Sequence, residues 1–280
     1  MLHGINEILP EQLSARRSVL QKITSCFEQH GFARVTTPTF EPYKELSRGW
    51  GPFLKEGSIR FFNEEGVLMS LRPEMTSPIA RLVGSRKEQL ALPLKLYYTE
   101  NVFRKNHILR KQEFLQMGLE YLGNSSLESD VEIIKVIIET LLKINIKDFV
   151  IDIGHIENTK NKTEKEIQAL INGDYYKLKK LPLIGGAEIL AKKSKLSEFA
   201  VEWEKTNRKY SKYVQYNLGL IEEMSYYTGM IFNILIKDVG YIVGTGGRYD
   251  NLLKKYGWDI PAIGFAIEFE KLNLALKDKS

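Results

Sequence analysis

Cysteine is almost absent from this 280-residue chain. With Cys26 alone there is no internal disulfide, which fits a reducing cytoplasm. Its helical setting makes Cys26 a small core residue. No apolar run reaches the ~18 residues of a membrane span. The opening MLHGINEILPEQ lacks a basic head followed by an apolar stretch, so no signal peptide is expected. Histidine is scarce. His3, His30, His107 and His155 have no metal-ligand spacing with one another or with Cys26, so no metal is expected. No serine or cysteine sits in a nucleophile elbow. Gly244, Gly246 and Gly247 fail the dinucleotide fingerprint, and no Gly-Lys-Ser/Thr follows for a phosphate loop. Repeats and low-complexity tracts are missing as well.

What remains is ordinary globular text, 43% hydrophobic and 27% charged. A chain this long buries roughly 70% of its unfolded surface. The net charge of +5 comes from 40 basic residues scattered among 35 acids. There is no arginine-rich arm or basic stripe, so the charge reads as a solvated lysine-rich surface and not as a nucleic-acid footprint.

Apolar positions at Leu13, Val19, Leu20, Ile23 and Phe27 have helical spacing, closed by Gly31. Residues 32–43 read as extended, with Pro38 and Pro42 excluding a helix interior. Strands are expected at 58–62 and 67–71 around the turn Asn63-Glu64-Glu65-Gly66, then a helix at 75–86. Two β-rich runs, 94–104 and 112–122, flank the basic loop KNHILRK. Ser125 and Glu128 have capping-box spacing before a helix at 127–143, and 148–153 is a strand. Residues 157–212 change to lysine-rich, mostly helical text with a Gly185-Gly186 break, the one candidate insertion subdomain. Strands are expected again at 213–219, 226–237 and 240–244. A glycine turn, a short helix at 249–256, a strand near 262–267 and a helix at 268–277 follow. Helices interleaved with hairpins point to an α+β fold around a largely antiparallel sheet.

Four segments carry chemistry. In LRPEMTSPIARL (71–82), Glu74 and Thr76 stand at a helix mouth, where they either accept from an ammonium group or cap the helix. Alternation in FLQMGLEYL puts Gln116, Gly118 and Glu120 on one strand face, with glycine leaving room for a ligand near the backbone. An acid projecting from mid-sheet is costly unless something pairs with it. Arg104 ends the preceding strand as a planar fork for a carboxylate or phosphate. Tyr226 and Tyr227, in YYTGMIFNI, point to opposite faces if extended. GTGGRYDNLLKKYG (244–257) followed by PAIGFAIEFEKL (261–272) shows, by itself, a tight turn between a strand and a helix.

In this order the segments resemble the class II histidyl-tRNA synthetase family over nearly the whole chain. HGINEILPEQ is similar to its N-terminal signature, and GFARVTTPTFEPYKEL (31–46) to the dimer-interface motif with Pro38 as its proline. VFRKNHILRKQEFLQMGLEYLG (102–123) resembles the second motif, LPLIGGAEIL (181–190) a piece of the insertion, and PAIGFAIEFEKL the third motif. The resemblance implies that Glu74, Thr76 and Gln116 bind the amino end of histidine. It also implies that Glu120 and Tyr227 bind the imidazole, with Tyr226 nearby and Arg104 in the same pocket. A buried carboxylate facing an imidazole nitrogen makes a charge-assisted hydrogen bond.

The departures fall on the side of the family's pocket that handles ATP. Where synthetases have Arg-Gly-Leu-Asp before the paired tyrosines, this chain has Glu222, Glu223, Met224 and Ser225. At an effective dielectric of ~20 and ~4 Å, an acid in place of that arginine turns about 4 kcal/mol of attraction into repulsion. The third-motif arginine is Lys271, which lacks the flat stacking guanidinium, and Gln112 replaces a usual second-motif arginine. The family's anticodon-binding domain, which follows the third motif, is not expected here. A core that keeps histidine's pocket and loses ATP's resembles the regulatory subunits of ATP phosphoribosyltransferase, paralogues of the synthetases. That resemblance implies a subunit with no catalytic residues and no cofactor, acting at the first step of histidine biosynthesis. Its implied partner is a short-form catalytic subunit, with L-histidine as effector and a homodimer within a hetero-oligomer. The alternative is a truncated synthetase-like enzyme that forms histidyl-adenylate.

Overall fold

The computed structural model describes residues 7–105, 112–160, 162–172, 178, 184–191, 194–222 and 224–277. His3, His107, Glu223 and residues 181–183 lie outside them. In chain order the described elements begin with α1 (Pro10–Gln29), β1 (Ala33–Arg34), β2 (Phe40–Pro42), α2 (Tyr43–Leu46) and α3 (Pro52–Gly57). Next come β3 (Arg60–Phe62), β4 (Leu68–Leu71), α4 (Thr76–Ser85), β5 (Leu94–Phe103), β6 (Glu113–Leu122) and α5 (Leu127–Lys143). β7 (Phe149–His155), α6 (Glu164–Asn172), β8 (Ile184–Gly185), α7 (Lys195–Asn207) and β9 (Val214–Asn217) follow. The series ends with β10 (Met230–Ile236), β11 (Ile242–Arg248), β12 (Ala262–Glu268) and α8 (Phe269–Lys277).

Nine strands join in the order β1-β5-β6-β12-β11-β10-β7-β9-β8. The β1–β5 and β7–β9 pairs are parallel and the rest antiparallel, so the sheet is largely antiparallel, as its hairpins suggest. Strand alternation then makes two unlike faces. Leu115, Met117, Leu119 and Tyr121 on β6 turn toward α1, α5 and α7, where Ile23, Phe27, Ile134, Ile138, Phe199 and Trp203 complete the main apolar core. Leu13, read as part of the buried face of α1, stays 45% exposed.

The opposite face is half polar. Gln116, Gly118 and Glu120 point that way, under α4 and the turns at 249–260. A smaller sheet, β2-β4-β3, flanks this side and leaves Phe40, Phe61 and Phe62 exposed. Arg72 ties it to the main sheet through the carbonyls of Thr37 (2.6 Å) and Asn101 (2.8 Å) and the Glu100 carboxylate (2.8 Å).

Several local expectations are revised. Gly244, Gly246 and Gly247 lie inside β11, not in a turn. A Cβ at Gly246 would strike the Phe232 ring of β10, so the glycines are set by strand-to-strand crowding. Residues 249–256 form turns and one 3-10 stretch (Leu253–Tyr256) instead of a helix. Helix α5 is capped at Ser126, whose N–H donates to Asn124 Oδ1 at 2.9 Å, so no capping box forms from Ser125. In the 157–212 stretch, α7 sends Leu196, Phe199, Ala200 and Trp203 into the main core, and β8 adds an edge to the main sheet.

Candidate functional site

The polar face of β6 is roofed by the N-terminus of α4, and its first free N–H groups find side chains as partners. Glu74 Oε2 accepts from Thr76 N (2.6 Å) and Oε1 from Ser77 N (3.0 Å), while Gln116 Oε1 accepts from Met75 N (3.2 Å). The capping reading of Glu74 is therefore realised in its geometry. Burial pushes the Glu74 carboxyl up, and the bonds from Ser77 and Thr76 and the nearby Arg104 pull it back.

Glu120 is 1% exposed in the middle of the sheet. Thr76 Oγ1 donates to Oε1 at 2.8 Å, and the Tyr249 hydroxyl donates to Oε2. Desolvation dominates nonetheless and raises its pKa to about 8, with Glu74 adding a little in the same direction. Small residues on β12 make the space. Gly264 is registered opposite Glu120 and Ala266 opposite Gly118, and a Cβ at Gly264 would collide with the Glu120 carboxylate. Gly118 does not leave open room. The space beside it holds the Phe265 carbonyl and the hydroxyl end of Tyr98, 2.6 Å from where a Cβ would sit.

Above this floor lies a cavity of about 540 Å³ including its open mouth. Glu74, Thr76, Arg104, Gln116, Tyr226 and Tyr227 all line it, whereas Glu120 does not and lies beneath, bonded to the lining residues Thr76 and Tyr249. Tyr226 and Tyr227 precede β10 in a turn, and their rings meet edge-on with centroids 5.0 Å apart. They serve the same cavity, contrary to the opposite-face expectation for an extended pair. Burial raises both hydroxyls well above the ordinary tyrosine range, and for Tyr227 the Glu222 carboxylate adds to the rise. The expected acid in place of an arginine is thus within electrostatic reach of the second tyrosine.

The cations of the cavity are already engaged. Arg104 Nη2 meets Glu268 Oε1 at 2.6 Å, Nη1 donates to the Pro73 carbonyl at 2.6 Å, and its guanidinium lies over the Phe114 ring. Lys271 Nζ lies 2.9 Å from the other Glu268 oxygen. One carboxylate holds both. Gln112 is exposed, and its carbonyl receives the Arg104 N–H at 3.0 Å.

The histidyl-tRNA synthetase family model matches residues 4–161 and 156–272. An ATP phosphoribosyltransferase regulatory subunit of Caldanaerobacter subterraneus subsp. tengcongensis is 36% identical, covering 99% of this chain and 83% of the relative. A Moorella thermoacetica protein of the same name is 33% identical, over 97% of this chain and 80% of its own length. The chain belongs to the ATP phosphoribosyltransferase regulatory-subunit family. In that family the role is regulatory and not catalytic. A Bacillus halodurans structure described as an ATP phosphoribosyltransferase regulatory subunit/histidyl-tRNA synthetase superposes with TM-score 0.87 at 28% identity, over 99% of this chain and 83% of the other. Apo Staphylococcus aureus histidyl-tRNA synthetase reaches 0.74 at 22%, over 100% and 70%, which shows a shared class II synthetase fold.

Sequence reasoning missed two residues that line the cavity and one packed against its floor strand at Gly118. Tyr249 and Glu268 lie within segments that drew notice for their glycines and for the third motif. For Glu268 a signal existed, because Ala262, Gly264 and Ala266 alternate with bulky residues and place the acid on the small-residue face. Tyr98 gave none, since Tyr97-Tyr98 reads as ordinary strand filler. Among the histidines, His30 pairs with Glu139 at 2.7 Å and His155 Nδ1 accepts from Glu157 N at 3.2 Å. No cluster of three metal-ligating side chains occurs among the described residues.

Proposed function

We propose that this chain is the histidine-sensing subunit of an ATP phosphoribosyltransferase assembly. L-histidine is bound in the cavity, with Glu74, Thr76 and Gln116 at its amino end. Glu120, Tyr227 and Tyr226 lie at the imidazole, and Arg104 lies toward the carboxylate. The partner is a short-form catalytic subunit, which this chain activates and through which bound histidine inhibits. The observation that carries the reading is Glu120, a buried carboxyl group held beneath the cavity by two hydroxyl donors that belong to its lining. A site built this way rejects ligands that leave the acid unpaired.

The ATP side supports the same reading from the other direction. Glu268 pairs with both Arg104 and Lys271, and Glu222 adds negative charge near Tyr227. A triphosphate entering there meets acids before it meets a free cation. Residues 157–212 are read as an insertion on one synthetase-like core. A second copy pairs through the small sheet, whose exposed Phe40, Phe61 and Phe62 favour burial. Feedback by histidine requires tighter binding to the inactive assembly, typically by 1–3 kcal/mol.

Mixing this protein with a short-form catalytic subunit, with and without L-histidine, tests the reading. Co-purification, a rise in activity and its suppression by histidine are expected. Histidine-dependent pyrophosphate exchange by this chain alone would replace the reading with the synthetase-like alternative, which the presence of Arg104 in the cavity favours.

A further inference from the structure

Several tyrosine hydroxyls have a protein partner, and one buried hydroxyl does not. Tyr97 and Tyr98 are neighbours on β5 and point to opposite faces. The Tyr97 hydroxyl donates to Glu28 at 2.6 Å. Tyr249 donates to Glu120, and Tyr256 donates to the Leu46 carbonyl at 2.8 Å. Tyr98 is 0% exposed, and its hydroxyl is the tyrosine oxygen that, among the described residues, is buried with no partner. A phenylalanine would fill the same space without leaving a polar atom stranded, so the hydroxyl calls for an explanation.

Its position supplies one. Tyr98 is registered opposite Gly118, between the levels of Gln116 and Glu120 on the neighbouring strand. The absent side chain at Gly118 is what lets the ring tip lie there, since a Cβ would stand 2.6 Å from the hydroxyl oxygen and 2.8 Å from the ring carbon bearing it. The electrostatic neighbours of the hydroxyl are Glu120, Glu74, Tyr227 and Arg104, all members of the histidine site as read above. The oxygen thus lies at the level of Gly118, within electrostatic reach of both carboxylates and beneath the residues that line the cavity.

Resting on that histidine reading, we infer that Tyr98 is a further ligand-recognition residue, whose hydroxyl is completed by a nitrogen of the bound amino acid. Both flanking carboxylates attract N–H groups of the ligand. The tyrosine oxygen accepts one of them and so distinguishes an amino acid with polar nitrogens at both ends from an apolar one of similar size. With the cavity empty the hydroxyl is a fault in the floor; with the ligand in place the fault is repaired. Binding is therefore coupled to the completion of a buried polar network.

Tyr98→Phe removes one oxygen and keeps the packing, and it separates the two states. Melting without ligand and calorimetric titration with L-histidine and with L-leucine should be run on the wild type, on Tyr98→Phe and on Glu120→Gln. In Tyr98→Phe the ligand-free melting temperature is expected to rise by about 2–4 °C, because a stranded hydroxyl is gone. Its affinity for L-histidine is expected to fall about 10- to 100-fold, and the preference over L-leucine to narrow. Histidine affinity within twofold of wild type in Tyr98→Phe, with Glu120→Gln impaired, overturns the inference and leaves the histidine reading standing; the hydroxyl then holds only a water. Absence of L-histidine binding by the wild type, under conditions where the fold is intact, overturns the histidine reading itself, and the role of Tyr98 with it.

Discussion

The two ends of the cavity are built from the same residue types with opposite outcomes. At the β6 end, carboxylates are held by neutral donors: Glu74 by backbone N–H groups and Glu120 by the hydroxyls of Thr76 and Tyr249. Burial raises the pKa of both, Glu120 to about 8. At the β12–α8 end, cations are held by a carboxylate, with Glu268 between Arg104 and Lys271. Both cations are held in place by the one acid they share. Loss of a chemical step therefore needs no empty site; it needs only that the groups serving the step be paired with each other.

The largest effect is expected at the acid end. Glu120→Ala removes the acceptor at the floor and strands two hydroxyl donors, and L-histidine affinity is expected to fall at least ~100-fold by calorimetry while co-purification with the catalytic subunit persists. Unchanged histidine inhibition in that variant would dissolve the contrast between the ends. Next comes the cation end. Glu268→Ala frees Arg104 and Lys271, and ATP affinity is expected to rise about tenfold, reversed by moderate salt. No gain in ATP binding would show that pairing is not what silences this end.

A pH titration compares the ends without altering packing. Glu120 has its folded pKa raised to about 8 from an unfolded value near 4.5. The folded state therefore holds the extra proton between those values, and stability contributed by it is full below the unfolded pKa and lost as pH rises through about 8. Chemical denaturation should show the wild type losing stability relative to Glu120→Gln between pH 5 and 8.5, by up to a few kcal/mol. Asp130, raised to about 6 by burial against the pull of Arg248, shifts both proteins alike and cancels in the difference. Gly264→Ala should cost about 1–3 kcal/mol in urea unfolding, because its methyl group displaces the Glu120 carboxylate. The smallest change is expected for Lys271→Arg. It restores a guanidinium but leaves Glu268 in place, so ATP affinity should stay within about threefold of wild type.

Much of the architecture was legible beforehand. The helix read at 127–143 coincides with α5, and the paired runs around residues 94–122 are β5 and β6, because period-2 and period-3.6 apolar patterns reflect which faces meet the core. Errors gathered where glycine was read as a turn signal. Gly244 and Gly246 are crowded by Phe232, Ile267 and the backbone of β12, and Gly247 by the backbone of β10, a long-range cause invisible in local text. The strand expected from residue 226 begins only at Met230, so the Tyr226-Tyr227 pair lies in a turn and both rings reach the one cavity in which they were expected.

The order of motifs along the chain was enough to identify a synthetase-like core, the acids and tyrosines expected around one pocket, and the exchange of an arginine for Glu222. These are matters of residue identity, and identity is carried by sequence alone. The pairing of those residues belonged to the tertiary structure. Glu268 reaches Arg104 across 164 positions of chain, and Tyr249 reaches Glu120 across 129. A charge acts on whatever lies within a few ångströms, and only the closed sheet decides what that is.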